Sequence, residues 1–240
     1  CDICKRFSGR GIHLIHLIVN SILPKIDEVR NIAKCSGAGI IGISETKLDE
    51  SIHNSEISIE GYILLRKDRN RHGGGVACYI SNKLCYENKE YFDKDIESIF
   101  FDVLLPKTKP FTVGIFYRPP DQSKFLELIN EDFDKLKSEN KEIYILGDFN
   151  INVLVNEKFI LDKKNINMFS DPNILTPIAK QYKQFCCYYS LSQLIDSPTR
   201  ISCNTSTLLD HILTNTPDKI QQSGVIDIGI SDHQLIICTR

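Results

Sequence analysis

No stretch of this 240-residue chain approaches the ~20 consecutive apolar residues that cross a bilayer, so no transmembrane helix is expected. A basic-then-apolar leader with a small-residue cleavage site is also missing, which argues against secretion. Nor is there a surplus of positive charge: 29 basic residues meet 31 acidic ones, for a net charge of −2. Proteins that hold nucleic acid mainly by charge are usually more basic, so a broad, tight nucleic-acid binder is disfavoured. An enzyme that touches a few phosphates and offsets their charge with a metal ion stays open, as does a domain with no polyanionic partner. Gly73-Gly74-Gly75 is not followed by Gly-Lys-Ser/Thr, which excludes a nucleotide P-loop and leaves a tight turn entering a strand. Internal repeats and low-complexity segments are absent.

The nine cysteines form no recognisable framework. Cys1 and Cys4 have zinc-like spacing, but no second pair follows at a suitable distance. Cys78, Cys85, Cys186, Cys187 and Cys238 fall inside apolar stretches, where thiols act as small hydrophobes. An odd count without a pattern favours a reducing compartment. A chain that opens on Cys1 rather than Met reads as part of something longer, with 1–11 as a leading fragment and 12–240 as one domain.

Apolar runs separated by Gly, Pro and Asn predict strands over 13–20, 39–44, 61–65, 75–80, 98–105, 111–117, 142–146, 191–195, 209–213 and 235–238. Three- and four-residue spacing predicts helices from Pro24, over 123–136 and over 177–189. Many strands with few helices fit two packed sheets flanked by helices.

The acids and amides fall at strand edges. Glu45 ends one apolar run, Asp148 and Asn150 end another, Asp210 borders a third and Asp232-His233 precede the last. An acid beside a buried strand is costly unless paired, hydrogen-bonded or metal-bound. Gathered at one end of a sandwich, these groups would make an oxygen-rich site suited to Mg²⁺ or Mn²⁺. Such an ion polarises a phosphoryl oxygen and stabilises charge on the leaving oxygen. A carboxylate beside an Asn can activate water, and a His beside an Asp can face the phosphate in one tautomer. His211 should point to the face opposite Asp210, and His13 and His16 read as ordinary strand residues. The run 66–72 puts four basic residues on an expected loop, either solvated or against a DNA backbone.

These residues carry a resemblance. Ile43-Ser44-Glu45-Thr46-Lys47-Leu48, Gly147-Asp148-Phe149-Asn150 and Ser231-Asp232-His233 resemble, in order and spacing, motifs of the endonuclease/exonuclease/phosphatase superfamily. Leu23-Pro24-Lys25-Ile26-Asp27, Phe116-Tyr117-Arg118-Pro119-Pro120 and Thr207-Leu208-Leu209-Asp210-His211-Ile212-Leu213 are similar to endonuclease domains of LINE-type (non-long-terminal-repeat) retrotransposons. The resemblance implies a DNase I-like, four-layer α/β sandwich of two mixed sheets flanked by helices. It implies Mg²⁺ (or Mn²⁺) held by Glu45, with Asp232 and Asn20 beside it. Asp148 would be the general base and Asn150 would orient water or phosphate. Tyr117 would contact the phosphate or assist the leaving group, and Asp210 would hold His233 against the scissile phosphate. The implied substrate is target DNA, nicked so that its new 3′-hydroxyl primes a reverse transcriptase carried downstream in the same polypeptide. An intracellular, nuclear site of action is expected from that function alone.

One position departs from the pattern. The motif Asn of the first strand falls on Ile18, and Asn20 matches the next polar position. Two residues apart in a strand share a face at about 6–7 Å, so Asn20 cannot fill both places. Ile18 offers no oxygen to a cation. A catalytically impaired nucleic-acid-binding or relic domain is therefore a standing alternative, and so is a phosphodiesterase acting on RNA. Lipid substrates are disfavoured by the missing membrane-binding segments.

Overall fold

The computed structural model describes residues 10–89, 96–154 and 175–240, so Cys1 and Cys4 lie outside the described residues. With strands numbered in chain order, the first sheet runs β13 (Gln222–Ile226), β14 (Leu235–Thr239), β1 (His13–Ile18), β2 (Ile40–Ser44), β4 (Val76–Ser81), β3 (Tyr62–Lys67). The second runs β5 (Cys85–Lys89), β6 (Glu97–Leu104), β7 (Phe111–Tyr117), β8 (Glu142–Asp148), β12 (Asp210–Thr214), β9 (Ser192–Gln193). In each sheet one central pair is parallel, β1 with β2 and β7 with β8, and their crossovers carry helices. A two-stranded ribbon joins β10 (Arg200–Ile201) to β11 (Ser206–Thr207).

Helix α1 (Ile26–Ser36) enters through a 3₁₀ turn containing Pro24 and carries Asp27 and Glu28 in its first turn, which suits the helix dipole. It stops at Gly37, whose φ of 56° is left-handed and whose N–H closes onto the Ala33 carbonyl at 3.0 Å. Val29, Ile32 and Ala33 pack on Ile15, Leu17, Ile41 and Ile43 of the first sheet. Helices α2 (Phe125–Ser138) and α3 (Pro177–Tyr188) cover the second sheet, with Phe125, Phe133, Tyr182 and Phe185 against Phe116, Ile145 and Leu213. Between the sheets lie Leu14, Ile40, Val76, Phe101, Val113, Ile115, Leu146, Ile212 and Ile236. The result is the four-layer α/β sandwich, helix on sheet on sheet on helix.

Central strands buried on both faces lack alternation, which is why β1 and β2 are buried at every position, the histidines of β1 included. Strand β5 and strand β13 were not expected from the sequence. Both are edge strands, with largely polar segments such as Glu87-Asn88-Lys89 and Gln222-Ser223-Gly224. The expected strand over 191–195 is reduced to Ser192–Gln193. Seven cysteines among the described residues are free thiols; Cys78, Cys186 and Cys238 are buried, while Cys85 and Cys187 are exposed despite their apolar neighbours.

Candidate active site

Alternation along each strand sends the chosen side chains to the inner faces at one end of the sandwich. On β8, Tyr144 and Leu146 pack between the sheets, so Asp148, two residues on, shares their face. On β7 the same rule carries Tyr117 beyond Val113 and Ile115. Asp210 opens β12 on the face of Ile212, and it is the register partner of Asp148 across the antiparallel pair. The odd-numbered neighbours Ile145 and Leu213 go to the opposite, helix-covered face.

Phe149 anchors the loop between Asp148 and Asn150. Its ring enters the helix-covered core, 6.0 Å from Phe116, 5.4 Å from Tyr182 and 5.3 Å from His211. Burying an aromatic side chain of this size stabilises by about 1.5–3 kcal/mol, enough to fix the loop's path. Gly147 is required just before it, because an added Cβ would stand 2.1 Å from the Phe116 carbonyl oxygen. Asn150 then turns through φ 48°, a left-handed conformation that Asn tolerates. Its N–H donates to Asp148 Oδ1 at 2.8 Å, and its Nδ2 donates to Asp148 Oδ2 at 3.0 Å and to the Arg118 carbonyl at 2.8 Å.

Arg118 is buried, and sequence reasoning did not single it out. Its guanidinium donates to the carbonyls of Phe149 and Asn150 at 3.1 and 3.2 Å, locking the Tyr117-Arg118-Pro119-Pro120 turn to the Asp148–Asn150 turn. The adjacency of Arg118 to Pro119-Pro120 is the one sequence signal for it, since a turn with two prolines has carbonyls left to satisfy.

The histidine of Ser231-Asp232-His233 meets Asp210. His233 Nδ1 lies 2.8 Å from Asp210 Oδ2, both groups being buried. Burial opposes the charged imidazole, but Asp210 more than compensates, by hydrogen bond and by charge, and His233 is raised above its ordinary value. Ser231 fixes the turn by donating to the Ile18 carbonyl at 2.7 Å. Asp148 is raised well above the usual carboxylate range, first by burial and then by the charge of Asp210.

Glu45 follows β2 with φ 56°, a strained conformation for a non-glycine residue. Backbone contacts hold it there: Ser21 N–H donates to the Glu45 carbonyl at 2.8 Å, and Thr46 N–H and Lys47 N–H reach the Gly75 and Gly74 carbonyls. Gly75 (φ 84°) has no room for a Cβ, which would meet Thr46 Oγ1 at 2.4 Å. The glycine run thus braces the Glu45 loop. Tyr117 OH donates to Glu45 Oε1 at 3.0 Å, and burial together with the Glu45 charge pushes this phenol up, so it stays a donor.

Asn20 and Asp232 are engaged elsewhere. Exposed Asn20 accepts from Lys47, and Asp232 Oδ2 accepts from Arg200 Nε at 2.7 Å. Ile18 is 3% exposed at the end of β1, register partner of Ser44. Among the described residues, no group of three or more His, Cys, Asp or Glu side chains is arranged to hold a metal ion. Mg²⁺ nonetheless commonly binds through one or two carboxylates and keeps several waters. Glu45, partly exposed, is the carboxylate that would hold an ion in that mode. The basic run is mostly consumed internally: Arg66 belongs to β3 and ties the Asp49 and Ile52 carbonyls, Lys67 reaches the Ile96 carbonyl, and Arg69 pairs with Glu97.

His211 does lie on the face opposite Asp210, where Nδ1 meets Tyr182 OH and the ring stacks on Phe149. His16 is another matter. It is fully buried, with Nε2 2.9 Å from Ser44 Oγ and Nδ1 3.9 Å from Asp210 Oδ1. The two-residue spacing to Ile18 was the available signal, because it puts His16 on the inner face beside the motif position.

Acids, an amide and an imidazole thus gather at one end of the sandwich. A family model described as Endonuclease/Exonuclease/phosphatase family matches residues 19–233, and the chain belongs to that family. No curated protein matches the sequence. Among solved structures, the endonuclease domain of TRAS1, a telomere-specific non-LTR retrotransposon, superposes with a TM-score of 0.70 at 14% identity, covering 95% of this chain and 97% of its own. An AP endonuclease from Archaeoglobus fulgidus and a 3′-5′ exonuclease from Neisseria meningitidis each give 0.70 at 15% identity, covering 95% of this chain and 98% of theirs. At such identities the likeness establishes the fold.

Proposed function

We propose that this chain is a Mg²⁺-dependent endonuclease that hydrolyses one strand of duplex DNA. The observation that carries the reading is the meeting of Asp148, Asp210 and His233: two buried carboxylates in register on adjacent strands, with an imidazole on one of them. In this reading Asp148 takes the proton of the attacking water, and Asn150, held by the Arg118 carbonyl, orients that water. His233, charged against Asp210, opposes the negative charge of the phosphate. Tyr117 spends its one hydroxyl proton on Glu45 and so keeps that carboxylate in place. Glu45 would hold a divalent ion, and such an ion would supply Lewis-acid stabilisation of the leaving oxygen.

The motif strings favour a retroelement setting, in which target DNA is the partner and a reverse transcriptase belongs to the same polypeptide. The coding sequence beyond Arg240 tests that setting. Nicking of supercoiled plasmid with Mg²⁺ and with EDTA tests the activity. Metal-dependent conversion to open circles is expected, and its absence from folded protein would defeat the claim.

A second reading rests on Ile18. A branched alkyl group stands where the motif has an amide, so this copy would fold and touch DNA but turn over slowly. Activity close to that of an Ile18→Asn variant would refute it.

A further inference from the structure

Asp210 has two oxygens, and His233 uses one of them. Oδ2 takes the His233 Nδ1 contact at 2.8 Å, while Oδ1 is buried with no hydrogen-bond partner. Across from it, at 3.9 Å, stands His16 Nδ1, which is also buried and unpartnered. Two complementary unpartnered groups facing each other in a buried interior are an arrangement that polar groups avoid unless they serve one another. The fold makes room for the ring: His16 is register partner to Gly42, where an added Cβ would stand 3.2 Å from the imidazole.

Burial holds His16 down at about 4, the effect of Asp210 being outweighed, so near neutrality the ring carries one proton. That proton can sit on either nitrogen. On Nε2 it would point at Ser44 Oγ and turn the Nδ1 lone pair towards a carboxylate oxygen. On Nδ1 it would face Asp210 Oδ1, and Nε2 would then accept from Ser44, 2.9 Å away. Ser44 has a single hydroxyl proton and a second acceptor, the Phe116 carbonyl, at the longer distance of 3.2 Å. Electrostatics favours the Nδ1–H form, because it answers the buried Asp210 oxygen.

We propose that His16 is a positioning residue: protonated on Nδ1, the tautomer that the Asp210 charge favours and that Ser44 answers by donating to Nε2, it faces the free oxygen of Asp210 at 3.9 Å and by electrostatic attraction steadies the carboxylate that orients His233. The chain Ser44–His16–Asp210–His233 then crosses from one sheet to the other and ends at the candidate phosphate site. This role deepens the proposed hydrolase reading and rests on it for its catalytic meaning.

The test is designed to separate the two. Imidazole ¹⁵N spectra of the folded protein near neutral pH, assigned by single substitutions, report the tautomer without any turnover. His16 is expected to show a protonated Nδ1 and a bare Nε2, and Asp210→Asn, which removes the charge that favours Nδ1–H, should shift the balance towards Nε2–H. In His16→Leu the His233 Nδ1–H signal should exchange with water at least ~10-fold faster, while His16→Asn, which keeps a donor near Nδ1, should restore much of the protection. In nicking assays His16→Leu should lower kcat by ~10–100-fold with KM nearly unchanged, and His16→Asn should recover part of it. An Nε2–H tautomer in the wild type, or an unchanged His233 signal in His16→Leu, would overturn the proposal. The expected spectra without nicking in any variant would instead defeat the hydrolase reading and leave the positioning contact standing.

Discussion

Asp148 and Asp210 sit in register on β8 and β12 with both carboxylates buried, yet they have different company: an amide and a backbone N–H on Asp148, an imidazole on Asp210. The like charge of Asp210 adds to burial in raising Asp148. Because a general base must be ionised, kcat/KM should climb with pH through a value well above the ordinary carboxylate value of about 4. Asp210→Asn removes the repelling charge, so it should move this limb to lower pH while lowering the plateau. A pH–rate profile of the two proteins checks both the direction and the drop.

Ile18 shares the inner face of β1 with His16 and ends that strand beside the Glu45 loop. Ile18→Asn should raise metal-dependent nicking by ~10-fold or more. The same change buries an amide at a 3% exposed position, so stability should fall by about 1–3 kcal/mol. Plasmid nicking together with urea denaturation measures the opposed effects. Equal activity would show that the alkyl group does not hinder the site.

Tyr117→Phe deletes one hydroxyl and leaves the ring beneath Arg69, 5.8 Å from its centroid. Folding should lose only about 1 kcal/mol. Turnover should fall by ~10–100-fold, because Glu45 loses the donor that aims it. Thermal melting beside nicking rates distinguishes this from a general loss of structure.

His16 and His211 are both held down at about 4 by burial. The unfolded chain takes up those protons near 6.5, the folded chain not until about 4. Stability should therefore be intact above pH 6.5 and fall as pH drops towards 4, by about 1.4 kcal/mol per pH unit for each imidazole. His211→Phe, which preserves packing against Phe149 but cannot titrate, should remove one imidazole's share, about 1.4 kcal/mol per pH unit, from the slope in denaturant titrations.

The sandwich and its acid edge were legible in the sequence for a physical reason. A polar residue that ends a buried apolar run has few acceptable surroundings, so Asp148 and Asp210 announced themselves. Strand β5 and strand β13 did not, because an edge strand wets one side and its polar residues look like loop. His16 reads in sequence as an ordinary strand residue, because β1 is buried on both faces and offers no alternation to mark the inner one. Arg118 was hidden because its partners are carbonyls of distant turns, which only folding brings near. The internal use of Arg66, Lys67 and Arg69 was equally invisible, since the acids and carbonyls that absorb them are remote along the chain.

The most direct test of a shared catalytic pocket is a double-mutant cycle in nicking rate with Asp148→Asn and His233→Ala, run in the Ile18→Asn background. If the groups act as one unit on one phosphate, each single change should cost nearly as much as the pair, so the losses will be far from multiplicative. Losses that multiply independently, or nicking that survives the double change, would contradict the account.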